Sequence, residues 1–189
     1  NLVPPDAFIP IAEESGLIIT LGAWVLRTAF GQLAVWQAEG WESARISVNI
    51  SAYQLRRKSF LHLIKGALHQ AGLDSRSVEL EVTESVFLEE RGVEALEELK
   101  QMGVSIAIDD FGTGFSSLSY LSRMHADVLK IDRAFIGKID KGGAPIVAAI
   151  IAMAQKLGCS VVEEGVETEQ EVEFLQEHGC HILQGYHCG

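Results

Sequence analysis

The segment SIAIDD, at residues 105–110, shows the alternation on which the interpretation of the whole chain rests. Side chains alternate along a β-strand, so Ala107 and Asp109 share one face while Ile106 and Ile108 share the other. Five more apolar segments end in polar or charged residues in the same way: Arg45 to Asn49, Val78 to Glu84, Val128 to Asp132, Ser160 to Glu164 and His181 to Gln184. Each segment predicts a strand with one apolar face and one face of small or polar residues.

Helical patterns of apolar residues lie between these predicted strands, and most of them end at a glycine. The glycines are Gly40, Gly72, Gly103, Gly158 and Gly179. Repeated units of helix, glycine and strand predict parallel β/α architecture, because parallel strands need a crossover that a helix normally provides. Strands of an open doubly wound sheet would be apolar on both faces, so the polar face favours the interior of a TIM-type (β/α)8 barrel.

The length predicts that this barrel is incomplete. A (β/α)8 barrel usually takes about 250 residues, whereas this chain has 189 residues and about six of the eight strands. We expect a single barrel domain over residues 1–189, with the missing strands before Asn1 and the closing helix after Gly189.

Composition excludes several classes of function. The formal net charge is −11, from 15 Lys and Arg against 26 Asp and Glu, so binding to a DNA or RNA polymer is not expected. Three cysteines are too few for a disulfide framework, which favours the cytoplasm. The longest apolar run, Ile146 to Ala154, is shorter than the roughly 20 residues that cross a membrane, so no membrane contact is predicted.

The polar residues at the strand ends predict a metal site, because active sites of such barrels lie at the C-terminal ends of the strands. These residues are Asn49, Glu81, Glu84, Asp109, Asp110, Lys130, Glu164, Glu167 and Gln184. Converging carboxylates repel one another unless cations bind, and oxygen ligands without His or Cys favour Mg²⁺, Mn²⁺ or Ca²⁺. One carboxylate of Asp109-Asp110 can bridge two metals about 3.5–4 Å apart for attack on a phosphodiester, with Lys130 holding the water.

Weaker patterns point elsewhere. Asp110-Phe111-Gly112 also occurs in protein kinases, but no glycine-rich nucleotide loop or His-Arg-Asp accompanies it here. Residues 111–117 are either a phosphate cradle at the start of a short helix over Ser117 to Arg123 or an ordinary turn. A zinc cluster is disfavoured, because the spacing of its candidate ligands fits no familiar zinc pattern. Those candidates are His178, Cys180, His181, His187 and Cys188.

Taken together, six motifs resemble the EAL-domain family of cyclic di-GMP phosphodiesterases. They are Val48-Asn49-Ile50-Ser51, Glu81-Val82-Thr83-Glu84, Asp109-Asp110-Phe111-Gly112-Thr113-Gly114, Leu129-Lys130-Ile131-Asp132-Arg133, Glu164-Gly165-Val166-Glu167 and Gln184-Gly185-Tyr186. The resemblance runs from Pro4 to Tyr186. It implies a modified (β/α)8 barrel with one antiparallel strand, which hydrolyses cyclic di-GMP to linear pGpG with Mg²⁺ or Mn²⁺.

The resemblance also implies roles for the individual residues. Asn49, Glu81 and Asp109 would bind the first metal, and Asp109, Asp110 and Glu164 the second, so that Asp109 bridges the two-metal site. Lys130 and Gln184 would position the attacking water. Glu84 would brace the loop that begins at Asp110 and that in the family links the metal site to a homodimer contact, and Glu167 would support the site from behind.

One departure from the family leaves alternatives open. The family's own Glu-Ala-Leu motif, whose glutamate should be another ligand of the first metal, is expected before Asn1, because the Glu94-Ala95-Leu96 of this sequence lies in the helical pattern that ends at Gly103 and not at the end of a strand. The chain could therefore be a catalytically inactive receptor for cyclic di-GMP, or an interaction module completed by a second copy or by upstream residues.

Overall fold

The computed structural model describes residues 3–88, 90–112, 126–137, 139 and 142–185. The chain divides into two compact units, Asn1–Ile106 and Ala107–Gly189. The helix predicted over Ser117 to Arg123 lies outside the described residues, and the expectation of one domain stays a prediction.

The first unit begins with two helices and continues with alternating strands and helices. Its elements are α1 (Pro5–Ser15), α2 (Leu17–Ala38), β1 (Ile46–Asn49), α3 (Ala52–Leu55), α4 (Ser59–Ala71), a 3-10 turn (Ser75–Ser77), β2 (Val78–Thr83), a second 3-10 turn (Glu84–Leu88), α5 (Glu90–Gln101) and the first residues of β3 (Ser105–Phe111). Helix α2 packs against α1, α3, α4 and β1.

The second unit continues the same alternation. It contains the rest of β3, then β4 (Val128–Ile131), α6 (Arg133–Ile136), α7 (Ala144–Lys156), β5 (Ser160–Glu164), α8 (Glu169–Glu177) and β6 (Ile182–Gln184). Helices α6 and α7 pack against β5 and against each other. Every predicted strand is present, with ends that differ from the prediction by at most one residue.

The strands follow one another in the sheet in chain order, β1-β2-β3-β4-β5-β6. The β1–β2, β3–β4, β4–β5 and β5–β6 pairs are parallel. Residues at the ends of paired strands are register partners, as Asn49 is with Glu81 and Glu164 is with Gln184. The carboxyl ends of neighbouring strands therefore align within each unit, as a site at those ends requires.

Glycines end the helices as predicted. The backbone φ angle is positive at Gly40, Gly72, Gly103, Gly158 and Gly179. Gly72 follows α4 with φ 68°, and its N–H donates to the carbonyls of Leu68 and His69, so the turn that stops the helix also satisfies its last carbonyls. Thr168 caps α8 in a capping box with Glu171.

The apolar strand face forms the core with the helices, as the alternation predicts. Side chains that are almost fully buried include Leu26, Phe30, Leu33, Ile64 and Leu80 in the first unit and Ile108, Leu129, Ile131, Ile136 and Ile151 in the second. Each contributes about 1.5–3 kcal/mol relative to an exposed position. One carboxylate breaks the pattern, because Glu163 lies on the apolar face of β5 and is 0% exposed.

Helix α2 is a long, largely apolar segment that the sequence analysis did not identify. By length and composition it could cross a membrane, with a mean hydropathy of 1.4 over its best window. The sequence analysis missed it, because Thr20, Arg27 and Thr28 interrupt its apolar residues. One stripe of the helix is buried in the first unit, as in the core helix of a globular protein, and consists of Ile18, Gly22, Leu26, Phe30 and Leu33.

Candidate active site

In the first unit, two predicted ligands stand side by side at the ends of β1 and β2. Asn49 and Glu81 are register partners, and the N–H of Ile50 donates to the Glu81 carbonyl at 2.8 Å. The Glu81 side chain is 9% exposed, whereas Asn49 is exposed. An amide oxygen and a shielded carboxylate are thereby held next to each other, which suits a hard cation.

Glu84 lies at the start of the 3-10 turn that follows β2. The loop that it is predicted to brace continues into residues 113–125, which lie outside the described residues. Its bracing role therefore stays a prediction.

The second unit brings a lysine between two of the predicted carboxylates. Lys130 of β4 is 7% exposed, and its Nζ lies 2.7 Å from Glu164 Oε1 and 3.4 Å from Asp109 Oδ1. Removing a charge from water is costly unless it is paired, and here two opposite charges offset that cost. Asp109, Lys130 and Glu164 thus form one ion-paired cluster contributed by β3, β4 and β5.

Asp110 has an unusual backbone. It is the non-glycine residue with positive φ, at 53°, among the residues that the structure describes. This left-handed conformation costs an L-residue about 1–2 kcal/mol. The register of β3 shifts between Ile108 and Phe111, and the Asp110 N–H donates to Asp109 Oδ1 at 3.0 Å. The strained residue therefore sits where a catalytic pair is predicted.

The electrostatics at Asp110 indicate an excess of negative charge. Burial raises the pKa of its carboxyl, and the nearby charges of Asp109, Asp132 and Glu164 raise it further, as does a hydrogen bond with Asp132. A carboxyl whose charged form is disfavoured by neighbouring carboxylates marks a place where a cation would be favourable.

A cleft of about 650 Å³ opens beside this cluster in the second unit. It is lined by Asp110, Asp132, Arg133, Glu164, Gly165, Glu167, Gln184 and Gly185. Glycine is needed at two of these positions, since a Cβ on Gly165 would lie 2.4 Å from Arg133 Cβ and one on Gly185 would lie 2.3 Å from the Val166 carbonyl oxygen. Predicted residues Asp110, Glu164, Glu167 and Gln184 thus share one cavity.

The sequence analysis gave no role to Asp132 and Arg133, although both line this cleft. Asp132 caps α6 by accepting from the Ala134 N–H at 2.7 Å, which aligns the turn after β4. A signal was available, because both residues follow β4 directly, as other site residues follow their strands.

The donor set at the strand ends suits divalent cations. Among the described residues, no group of three His, Cys, Asp or Glu side chains is arranged to hold a metal. Lys130 takes the place between Asp109 and Glu164 that a cation could share, and Asp110 bonds to Asp132. The chemistry fits, since all these ligands are hard oxygens and their like charges already perturb Asp110.

Two of the candidate zinc ligands, His178 and Cys180, make contacts with other groups. The ring of His178 stacks on Phe174 and its Nδ1 lies 2.7 Å from the Phe174 carbonyl oxygen. The thiol of Cys180 is buried against the Val161 carbonyl. His187 and Cys188 lie outside the described residues.

Comparison with known proteins places this geometry in a family. The model of the EAL domain matches residues 1–189. The chain is 47% identical over 190 residues to the cyclic di-GMP phosphodiesterase NbdA of Pseudomonas aeruginosa, covering 98% of this chain and 24% of that protein. It is 44% identical over 193 residues to the bifunctional diguanylate cyclase/cyclic di-GMP phosphodiesterase MucR of the same organism, covering 100% of this chain and 28% of that protein. The chain thus spans about a quarter of the length of these relatives.

Solved structures agree. A structure described as the PaMucR phosphodiesterase in complex with c-di-GMP matches with a TM-score of 0.94 and 43% identity, over 100% of this chain and 78% of that chain. The EAL domain of Mycobacterium smegmatis DcpA matches with a TM-score of 0.81 and 42% identity, over 88% of this chain and 77% of that chain. The predicted fold class, a TIM-type (β/α)8 barrel of the EAL type that is incomplete in this chain, is confirmed, with six strands among the described residues. With a family model that matches all of its residues and relatives at 47% and 44% identity, the chain belongs to the EAL-domain family.

Proposed function

We propose that this chain hydrolyses cyclic di-GMP to linear pGpG with Mg²⁺ or Mn²⁺. The observation that carries the proposal is the buried Lys130 amine held by Asp109 and Glu164 beside an acidic cleft. The names of the relatives NbdA and MucR support the substrate and the reaction class. The alternative of an inactive receptor or interaction module has no support from those names.

The proposed metal ligands are the oxygens at the strand ends. Asn49 and Glu81 would serve the first cation with Asp109, and Asp110 and Glu164 would serve the second with Asp109. When bound, divalent cations neutralise phosphodiester charge and make a water molecule more acidic. The left-handed Asp110 backbone would allow two successive carboxylates to reach the same edge of the sheet.

Lys130 and Gln184 would orient the attacking water. The lysine amine has three N–H donors and is held by carboxylates from two strands, so it lies where it could donate a hydrogen bond to an oxygen nucleophile. Gln184 ends β6 and lines the cleft, where its amide can donate to or accept from the same water. Glu167, also on the cleft, would support the site, and Glu84 would brace the loop after Asp110.

A product assay tests the proposal. Purified protein is incubated with cyclic di-GMP and either Mn²⁺ or Mg²⁺, and pGpG is quantified by chromatography. We expect metal-dependent production of pGpG, and loss of it on addition of a chelator. Calorimetric binding of cyclic di-GMP without any pGpG would support the receptor instead, and neither binding nor turnover would overturn both interpretations.

We also propose a cytoplasmic homodimer without membrane contact by this domain. The support is the scarcity of cysteines and the family's link between the loop after Asp110 and dimerisation. Light scattering on the purified protein tests the oligomeric state, and a monomer at all concentrations would contradict it.

A further inference from the structure

The turn after β1 is held by contacts that the proposed mechanism does not use. Ser51 caps α3, with its Oγ accepting from the Tyr53 N–H at 3.1 Å. The Ser51 N–H in turn donates to Gln54 Oε1 at 3.1 Å, which completes a capping box. The Ser51 hydroxyl also donates to Glu13 Oε1 of α1 at 2.5 Å. Ser51 is thereby fixed through both its backbone and its side chain.

Gln54 itself is seated in a notch of α2. The side chain is only 3% exposed, and its Nε2 has no hydrogen-bond partner among the described residues. A Cβ placed on Gly22 would lie 2.1 Å from this Nε2, 2.6 Å from Cδ and 2.9 Å from Oε1. A glycine in a helix interior costs about 1 kcal/mol relative to alanine. Here the missing Cβ leaves room for the Gln54 amide.

Asn49 depends on this support, because it is two residues before Ser51 and lacks a support of its own. Its side chain is exposed and makes no hydrogen bond or ion pair with the described residues, so its position follows from its backbone. That backbone is fixed by pairing with β2, by the Ile50 N–H bond to Glu81, and by the pinned Ser51.

We propose that Gln54, seated on Gly22 and bonded to Ser51, is a positioning residue that aims the Asn49 amide at its cation. This inference rests on the proposed function, since it takes Asn49 to be a ligand. The orphaned Nε2 supports it: burying an amide donor without a partner costs about 1–3 kcal/mol, and an apolar residue would fill the notch without that cost. What glutamine adds is the acceptor that holds the Ser51 N–H.

Two alanine substitutions in one helix give a matched test. Gly22→Ala forces the Gln54 amide out of its notch, whereas a Cβ on Gly31 of the same helix meets nothing within 4 Å. In the metal-free protein, we expect Gly22→Ala to shift the NMR amide signals of Asn49 and Ser51. Calorimetry should show Mn²⁺ binding weakened about tenfold, as is typical when a residue that orients a metal ligand is lost. Gly31→Ala should match the parent in both readouts.

A second pair of variants separates positioning from folding. Gln54→Met keeps the length of the side chain but removes the acceptor, so it should weaken Mn²⁺ binding as Gly22→Ala does, at a temperature where thermal melting shows the protein folded. In an Asn49→Ala background, Gly22→Ala should cost no further affinity, because the ligand that it misplaces is already gone.

The outcomes are distinguishable. Folded Gly22→Ala and Gln54→Met variants with the parent's Mn²⁺ affinity would overturn the positioning role, and so would a full additional loss from Gly22→Ala in the Asn49→Ala background. If Asn49→Ala alone binds Mn²⁺ like the parent, the ligand assignment of the proposed function fails first.

Discussion

The two faces of β5 hold neighbouring glutamates in opposite circumstances. Glu164 lies beside the cleft with its Oε1 2.7 Å from Lys130 Nζ. Glu163 points into the apolar core, where it is 0% exposed and neither carboxylate oxygen has a hydrogen-bond partner among the described residues. Burial raises the pKa of the Glu163 carboxyl from its ordinary 4.5 to about 8. The comparison shows that a glutamate does not belong to a site by residue type alone. Glu164 belongs to one because the neighbouring strand β4 supplies Lys130 as a partner for its carboxylate.

The largest expected effect comes from removing the ammonium group of Lys130 on the polar face of the sheet. Lys130→Met should lower the rate of pGpG formation about 10³-fold, because the amine that orients the water and pairs with Asp109 and Glu164 is lost. Steady-state assays with saturating Mn²⁺ measure it. A folded variant with a rate close to the parent's would remove Lys130 from the mechanism.

Glutamine substitution on each face sharpens the comparison directly. Glu164→Gln keeps the shape but removes the charge that pairs with Lys130, so Mn²⁺ affinity should fall about 10–100-fold. The matched control is Glu163→Gln, one residue earlier on the opposite face, which should leave Mn²⁺ affinity unchanged. Calorimetric titration of both variants provides the measurement, and equal losses would show that the two faces do not differ in function.

Replacing the buried carboxyl should stabilise the fold. At neutral pH the unfolded Glu163 is ionised while the folded one holds its proton, a penalty of about 3 kcal/mol that Glu163→Met removes. The folded pKa is raised, so the parent's stability is highest below the unfolded value of 4.5 and is lost as pH rises toward about 8. The stability gap between variant and parent should therefore widen over that window.

Urea unfolding at several pH values measures this gap. Glu173→Met, at an exposed position of α8, serves as the control and should change stability little at any pH. A gap that does not depend on pH would mean that Glu163 is solvated or paired in solution.

The smallest expected effect lies beyond both faces of β5. Thr168 caps α8 just after the strand and completes a box with Glu171, so Thr168→Ala should cost about 1 kcal/mol of stability. Thermal melting detects the loss, while Mn²⁺ affinity should stay at the parent's value. A change in affinity would show that the α8 start also shapes the cleft.

Much of this architecture could be predicted from local pattern. Alternation within SIAIDD and its five counterparts located the six strands of the part of the chain that the structure describes, and glycine positions located helix ends. The clustering of Asp109, Lys130 and Glu164 followed from parallel pairing, because strand ends align in a parallel sheet. The catalytic and metal-binding roles that the family resemblance implies for these residues remain predictions, which the experiments above address.

Other features could not be predicted from pattern. Alternation alone does not predict that Glu163 is buried without a partner among the described residues. The sequence pattern is the same whether a charged strand residue faces water or packs against a helix. The sequence indicates no role for Glu79. In the structure its carboxylate accepts hydrogen bonds from the hydroxyl of Ser47 in β1 at 2.8 Å and from that of Ser105 in β3 at 3.0 Å. Likewise, nothing in the sequence links Gly22 to Gln54, since 32 positions separate them and only packing brings them together.

The sequence by itself determined the order of elements, the polarity of each strand face and the residue types available at the strand ends. These depend on local rules, since a two-residue period, a capping hydroxyl and a left-handed glycine act over a few positions. Tertiary structure alone decided which of those side chains found partners: Lys130 between two carboxylates, Glu163 with none, and Gln54 in the notch at Gly22. The physical reason is that burial and pairing depend on residues distant in the chain.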